Sequence, residues 1–203
     1  STKNASVAHW NGQPIIQYII MVFMFLAGTN FVLSYFAFKT KFRRIFLDTE
    51  FKYYALTIIG LSLVAGLIIY FQTDLGPEVS GYVMPFGRLE SSFRHAIFQV
   101  LAVVTTTGFV TADYTQWTAF LTIFFFGMMF LGGSSGSTSG GIKIVRHIIM
   151  IKNGLMEFKR ALHPNAILPV RFNNKAVQQP IVYNIILVLK LITLFATFSL
   201  SFK

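Results

Sequence analysis

The chain has 203 residues, of which 54% are apolar and only 12% are charged. A soluble domain usually carries about 25% charged residues, so a small water-soluble core is excluded and lipid is the expected surrounding. The 17 Lys and Arg residues outnumber the 7 Asp and Glu residues, but they are divided between separate loops, which argues against a nucleic-acid-binding face. Cysteine is absent, which excludes disulfides and thiolate metal sites.

Four apolar stretches are long enough to cross about 30 Å of hydrocarbon, which requires about 20 helical residues. They cover residues 14–38, 53–71, 117–151 and 181–202. The third is interrupted by glycines and serines, and the fourth contains Lys190. These stretches predict an all-α integral membrane protein. Because the chain begins with Ser1 and ends just after an apolar run, we expect it to be a piece of a longer polypeptide.

The basic residues predict the orientation of these spans. Most of them lie in two stretches, residues 39–52 and 142–175, namely Lys39, Lys41, Arg43, Arg44 and Lys52 in the first, and Lys143, Arg146, Lys152, Lys159, Arg160, Arg171 and Lys175 in the second. Cytoplasmic loops are enriched in Lys and Arg. The two basic stretches are therefore expected inside, and residues 1–12, 73–91 and 110–116 outside.

A further apolar stretch, residues 92–104, is too short to cross the membrane. As a helix it reaches only about 20 Å, and the predicted orientation leaves both of its ends outside. Ser91 and Ser92 are suitable helix caps, and Arg94 and His95 near its start are expected to be solvated. One interpretation is an amphipathic helix on the outer surface. The other is a re-entrant pore helix that enters the membrane and returns as extended chain.

The returning chain would consist of Thr105, Thr106, Thr107, Gly108 and Phe109. Rings of backbone carbonyls can replace the water shell of a potassium ion. Glycine permits backbone angles that turn carbonyls toward an axis, threonine stiffens an extended segment, and a helix directs its negative C-terminal end at a cation. The residue types favour a site for a dehydrated cation, although an ordinary turn after a helix has a similar composition.

The third span is interrupted by ten consecutive small or polar residues. They are Gly132, Gly133, Ser134, Ser135, Gly136, Ser137, Thr138, Ser139, Gly140 and Gly141, which we call the glycine–serine loop. A Walker phosphate loop is excluded, because Ile142 separates Gly141 from Lys143. Non-helical chain inside a membrane must line water or pack on protein. The loop is either a mobile intramembrane gate or a small-residue face for helix packing.

No nucleophile–base pair and no paired carboxylates at apolar sites are visible, so we expect neither an enzyme nor an organic cofactor. Two rival hypotheses are a secondary transporter with a midplane substrate site at the broken third span, and a non-conducting membrane scaffold with a basic inner face. A channel-like protein differs from both in requiring a re-entrant helix before residues 105–109.

Two motifs resemble the Trk/Ktr/HKT superfamily of potassium transporters. They are Thr-Thr-Thr-Gly-Phe at residues 105–109 and Gly-Gly-Ser-Ser-Gly-Ser-Thr-Ser-Gly-Gly-Ile-Lys at residues 132–143. The sequence Glu-Phe-Lys-Arg-Ala-Leu-His-Pro-Asn-Ala at residues 157–166 is similar to the TrkH branch in particular. The resemblance extends over nearly the whole chain.

The resemblance implies a pore of four linked repeats, each with an outer helix, a pore loop and an inner helix that is broken in places. Residues 1–44 would hold the inner helix of one repeat, residues 45–155 a complete repeat, and residues 156–203 a cytoplasmic connector and the first helix of the next. Residues 105–109 would supply a quarter of the selectivity filter, with potassium as the substrate bound by the carbonyls of Thr106, Thr107 and Gly108. The glycine–serine loop would be the gate.

The resemblance also implies partners and a location. The protein would act in potassium uptake as a multi-pass protein of the plasma membrane, the bacterial inner membrane. Its partners would be the lipid bilayer, the missing repeats of the same polypeptide, a second copy in a homodimer, and a cytosolic nucleotide-binding regulatory subunit. The basic stretch 142–175 is the expected docking surface for that subunit.

Overall fold

The computed structural model describes residues 6–39, 42–72, 86–112, 114, 117–162, 171–173, 175–177, 183–187 and 190. They divide into two compact units, residues 1–144 and 145–203. The helices are α1 (Pro14–Ala27), α2 (Phe31–Phe38), α3 (Phe42–Leu47), α4 (Thr49–Gln72), α5 (Arg88–Val104), α6 (Ala119–Met128) and α7 (Ile144–Leu162). A 3-10 turn, Ala8–Trp10, precedes them. The all-α class is confirmed.

The first predicted span is not one continuous helix. Pro14 occupies the first turn of α1, where its missing N–H costs nothing. The chain then leaves the helix after Ala27, and the Asn30 side chain caps α2 by accepting a 2.8 Å hydrogen bond from the Val32 N–H. The two helices differ in direction by 117°. The predicted span over residues 14–38 is therefore interrupted, because Asn30 starts a second helix.

Helix α4 contains the second predicted span and is 24 residues long, or about 36 Å. The Asp48 side chain caps it by accepting a 2.9 Å hydrogen bond from the Phe51 N–H. Among the described residues, α4 is the helix that is long and apolar enough to cross a membrane by itself, and α1 and α2 meet the same criterion together.

Helix α5 begins at Arg88 rather than at residue 92, and it packs against both α4 and α1. The contact with α4 is close at Gly66, where an added Cβ would lie 2.6 Å from the Phe93 ring. Most residues of α5 are buried, and Phe98, Val100 and Val104 are 0% exposed. An amphipathic helix on the outer surface would leave one face exposed to water, so the burial of most of α5 argues against that interpretation.

The interruption of the third span is observed. Thr118 caps α6 by accepting a 3.2 Å hydrogen bond from the Leu121 N–H, and the helix ends at Met128. Irregular chain follows until α7 begins at Ile144. Helix α7 continues to Leu162, eleven residues past the predicted end of the span at residue 151.

The second unit contains most of α7 and a hairpin of two short strands, β1 (Arg171–Phe172) and β2 (Lys175–Ala176), in which Arg171 pairs with Ala176. Ile149 of α7 and Ile185 are buried together in a small apolar cluster. The predicted fourth span lies mainly outside the described residues, of which 183–187 and 190 are helical.

Candidate functional site

Residues 105–109 begin where α5 ends, and their N–H groups turn back onto that helix. The Thr105 N–H donates to Leu101 O at 2.9 Å, and the Thr106 N–H donates to Val103 O at 3.1 Å. The N–H groups of Thr107 and Gly108 both donate to Ala102 O, at 3.1 and 3.3 Å. These bonds satisfy the last carbonyls of α5.

The carbonyl oxygens of residues 105–109 accept no hydrogen bond from any described residue. Thr106 and Gly108 have left-handed φ angles of 55° and 71°, so the segment is not the extended chain that the sequence predicted. A positive φ is unusual for a β-branched residue and stores strain. Residues 106–109 are exposed, which makes their carbonyls available to a cation.

Two threonine side chains attach the segment to neighbouring helices. Thr105 is 4% exposed, and its Oγ1 donates to Leu101 O at 2.7 Å. Thr107 Oγ1 lies 3.1 Å from Met24 Sδ of α1. The chain after the segment is held as well, because the Val7 N–H donates to Val110 O at 2.9 Å.

A buried polar network joins α5 to α1. Arg94 is 1% exposed; its Nε donates to Glu90 Oε1 at 2.8 Å and its Nη1 donates to Gln17 Oε1. Gln17 Nε2 donates to Asn11 Oδ1 at 2.7 Å, and Asn11 Nδ2 donates to Thr111 O at 3.1 Å. The network therefore reaches the chain just past residues 105–109.

The prediction that Arg94 and His95 are solvated is wrong. His95 is 0% exposed, and its Nδ1 lies 2.9 Å from Thr111 Oγ1. Arg94 is buried because Glu90 neutralises its charge within α5 and Gln17 satisfies a further donor. Two sequence signals point to this network: the Glu90–Arg94 spacing of four residues, and a glutamine inside an apolar stretch.

The glycine–serine loop packs against the break between α1 and α2. The Ser134 N–H donates to Gly28 O at 2.9 Å, and the Phe31 N–H donates to Gly136 O at 3.2 Å. An added Cβ on Gly133 would lie 2.6 Å from Gly28 O. The small residues thus allow close backbone contact, but they do so as irregular chain and not as the face of a helix, so that alternative is wrong.

Glu50, at the start of α4, holds the middle of the loop. Its carboxylate accepts hydrogen bonds from the Ser135 N–H and, at 2.7 Å, from Ser135 Oγ. Glu50 is 6% exposed. The sequence alone does not single out Glu50, because its partner lies 85 positions away and an acidic residue is common at the start of a helix.

The loop also contacts residues 105–109. The Gly140 N–H donates to Thr106 Oγ1 at 2.8 Å. Beside this contact, a cavity of about 280 Å³ is lined by Gln99, Thr106, Gly108, Phe109 and Tyr114, among others. The structure therefore brings together the two segments that the sequence singled out.

Comparison with known proteins identifies relatives over most of the chain. The sequence profile of the TrkH family, described as a cation transport protein, matches residues 1–202. The Trk system potassium uptake protein TrkH of Salmonella typhimurium is 29% identical over 182 residues, covering 89% of this chain and 35% of the relative. TrkH of Halomonas elongata is 30% identical over 178 residues, covering 87% and 34%.

The fold matches the crystal structure of the potassium transporter TrkH from Vibrio parahaemolyticus, with a TM-score of 0.72 and 28% identity over 85% of this chain and 35% of that one. The chain thus spans about a third of the length of the relatives it matches. It is a multi-pass protein of the bacterial inner membrane and not an enzyme. With the family profile matching almost every residue, the chain belongs to the TrkH family of cation transport proteins.

Proposed function

We propose that this chain is part of the pore-forming subunit of a potassium uptake system. The backbone carbonyls of Thr106, Thr107 and Gly108 bind the dehydrated ion. One observation carries the proposal: exposed residues directly after a buried helix present carbonyl oxygens that accept no hydrogen bond from the described part of the chain. Potassium uptake is also the printed function of the relatives.

The electrostatics of α5 support a cation site at residues 105–109. The C-terminal end of a helix carries a partial negative charge of about half an electron, and α5 ends at Val104. Carbonyls fixed beside that end bind a cation without having to be reoriented. Because the N–H groups of Thr106, Thr107 and Gly108 donate to carbonyls of α5, the oxygens of the same trans peptide groups point away from the helix.

One such segment surrounds an ion on only one side, so the complete filter needs further repeats. We propose residues 1–44 as the end of one repeat, 45–155 as a complete repeat, and 156–203 as the start of the next. The coverage of about a third of each relative supports this division. The missing repeats of the same polypeptide supply the other filter segments.

The glycine–serine loop is proposed as the intramembrane gate. Its support is the direct hydrogen bond from Gly140 to Thr106, which connects the loop to the ion-binding segment. A gate also needs a loop that can leave its position without unfolding helices. The loop is irregular and is held by individual hydrogen bonds at its ends and middle.

Partners follow from the same proposal. Arg146 and Lys159 are exposed on α7 and belong to the basic stretch expected inside, where a cytosolic nucleotide-binding regulatory subunit would dock. The complete protein would form a homodimer in the lipid bilayer. The alternative, a secondary transporter, would place the substrate at the break between α6 and α7 rather than at residues 105–109.

Rubidium uptake by the full-length protein, with sodium as competitor, tests the filter. Gly108→Ser places a side chain on a residue whose φ is 71°, which shifts the neighbouring carbonyls, and we expect a lower preference for potassium over sodium. Gly127→Ala is the matched control, since its Cβ meets no atom within 4 Å. Unchanged selectivity in Gly108→Ser would contradict the filter assignment and favour the secondary transporter.

The gate is tested separately by shortening residues 136–140. If the loop blocks the ion path, its shortening raises rubidium uptake at equal expression while the selectivity is retained. Uptake that stays equal or falls would argue against a gating role for the loop.

A further inference from the structure

Lys143 follows the glycine–serine loop and folds back into it. Its Nζ lies 3.3 Å from Ser137 O and 3.4 Å from Ser137 Oγ. It also contacts Ser139 O, and it lies 3.3 Å from Ser139 Oγ. One ammonium group is therefore surrounded by two carbonyl and two hydroxyl oxygens from residues two positions apart.

The two carbonyl oxygens are left for a cation, whereas the two hydroxyls also bond to each other at 2.7 Å and Ser139 Oγ accepts from the Gly133 N–H at 2.9 Å. No backbone N–H of the described residues donates to either Ser137 O or Ser139 O, so both carbonyls are available to Lys143. An ammonium group has three donors and no acceptor, so three of the four neutral oxygens can accept from it at one time. Ser139 is 4% exposed and Lys143 is half-buried, and a charge that is partly removed from water is stabilised by such partners.

Neutral carbonyl and hydroxyl oxygens are also the ligands that replace the water shell of potassium. The loop thus contains a second oxygen cluster, apart from residues 105–109, with the chemistry of a monovalent-cation site. We propose that Ser137 and Ser139 form a monovalent-cation site in which the Lys143 ammonium takes the place of a free ion. Lys143 thereby keeps the loop in its observed conformation.

The proposed role of Lys143 in holding the loop closed rests on the proposed gating function. The proposed cation site at Ser137 and Ser139 does not rest on it. Charges of opposite sign hold the two halves of the loop: the Glu50 carboxylate accepts from the N–H of Ser135, and the Lys143 ammonium donates to the carbonyls of Ser137 and Ser139. Removing the ammonium leaves an unfilled oxygen cluster. Potassium or rubidium then becomes able to occupy it.

Ser134 provides a reporter of loop opening that does not depend on transport. It is 0% exposed, and its Oγ has no hydrogen-bond partner among the described residues, so Ser134→Cys introduces a buried thiol without removing a hydrogen bond. The experiment uses the full-length protein in detergent, with any other cysteine replaced. The rate of N-ethylmaleimide labelling is measured in choline chloride and in potassium chloride.

With Lys143 present, we expect slow labelling that is equal in both salts. Adding Lys143→Met removes charge-assisted hydrogen bonds and is expected to raise the rate in choline by about tenfold or more, and potassium or rubidium then restores slow labelling. Lys52→Met is the control, because it makes the same substitution at an exposed position on α4 and leaves the rate unchanged.

Three outcomes would overturn the proposal: labelling of Lys143→Met at the parent rate, fast labelling that potassium does not slow, or an equal potassium effect with Lys143 in place. If Lys143→Met aggregates, Ser137→Ala decides, since it removes one of the four oxygens and is expected to label faster than the parent. A parent-like rate there rejects the site. Rubidium selectivity of Gly108→Ser is measured on the same preparation, so a failure of the pore assignment is seen separately.

Discussion

The Gly140 N–H and the Thr106 Oγ1 are joined by a 2.8 Å hydrogen bond between residues 34 positions apart. Thr106 has a left-handed φ of 55°, so the bond lies at a strained point of the backbone. The Thr106 hydroxyl accepts a hydrogen bond from the loop, while the Thr106 carbonyl oxygen accepts none from the described residues. A displacement of the loop therefore acts directly on a residue proposed to bind the ion.

Thr106→Val removes this hydroxyl and keeps the shape of the side chain. We expect rubidium uptake to rise by about two- to tenfold, the effect of losing one hydrogen bond, while the potassium preference is kept because the carbonyls remain. Thr106→Ser retains the acceptor and is the matched control. Similar uptake by the two variants would show that the hydrogen bond does not restrain the loop.

Glu50→Ala removes both hydrogen bonds to Ser135 and leaves the N–H of this half-buried residue without its carboxylate partner. We expect higher rubidium uptake than in the parent, with Glu50→Gln between the two, because the amide still offers one acceptor. The control is Glu157→Gln, which changes a surface pair with Arg160. Parent-like uptake in Glu50→Ala would mean that this carboxylate does not hold the loop.

Gly66→Ala tests the close packing of α4 on α5. The new methyl group would lie 2.6 Å from the Phe93 ring, and overpacking of this kind costs about 1–3 kcal/mol. We expect a lower melting temperature for the purified full-length protein. Gly60→Ala on the same helix meets no atom within 4 Å and is expected to leave the melting temperature equal or slightly higher. Equal melting temperatures for both variants would refute the close contact.

Arg94→Ala breaks the ion pair between the buried Arg94 and the half-buried Glu90 and removes a donor from Gln17. Removing one partner of a buried pair costs about 3–5 kcal/mol, so we expect little folded protein by size-exclusion chromatography. Arg160→Ala, which breaks a partly exposed pair, is expected to cost at most about 1 kcal/mol. Normal yields of Arg94→Ala would show that the network is not required for folding.

Local patterns in the sequence were sufficient for several features. Hydropathy predicted the all-α class, and the run of ten small or polar residues predicted the break before α7. The position of residues 105–109 directly after a short helix was also predicted. Each of these depends on residues close together in the sequence, where length and composition decide the structure.

The other features depend on residues far apart in the sequence, or on a single helix-capping residue within an apolar stretch. Asn30 is a good helix cap, but the apolar residues around it favoured one continuous span. The burial of Arg94 is not apparent from the sequence, because its second partner, Gln17, is 77 positions away. The conformation of Thr106 was unpredictable as well, since its φ is unusual for threonine and is stabilised by surrounding structure.

The 117° bend between α1 and α2 has a consequence for how the protein can vary. The carbonyl of Gly28 at this bend accepts a hydrogen bond from the Ser134 N–H, and Gly133 has no room for a side chain beside it. Gly28 lies in the first proposed repeat, and Gly133 and Ser134 lie in the second, so the contact depends on both repeats. A larger side chain on one side of this contact therefore requires a change on the other side. Natural variation at the bend is therefore expected to be matched by variation in the loop, so that adjoining repeats coevolve as a pair.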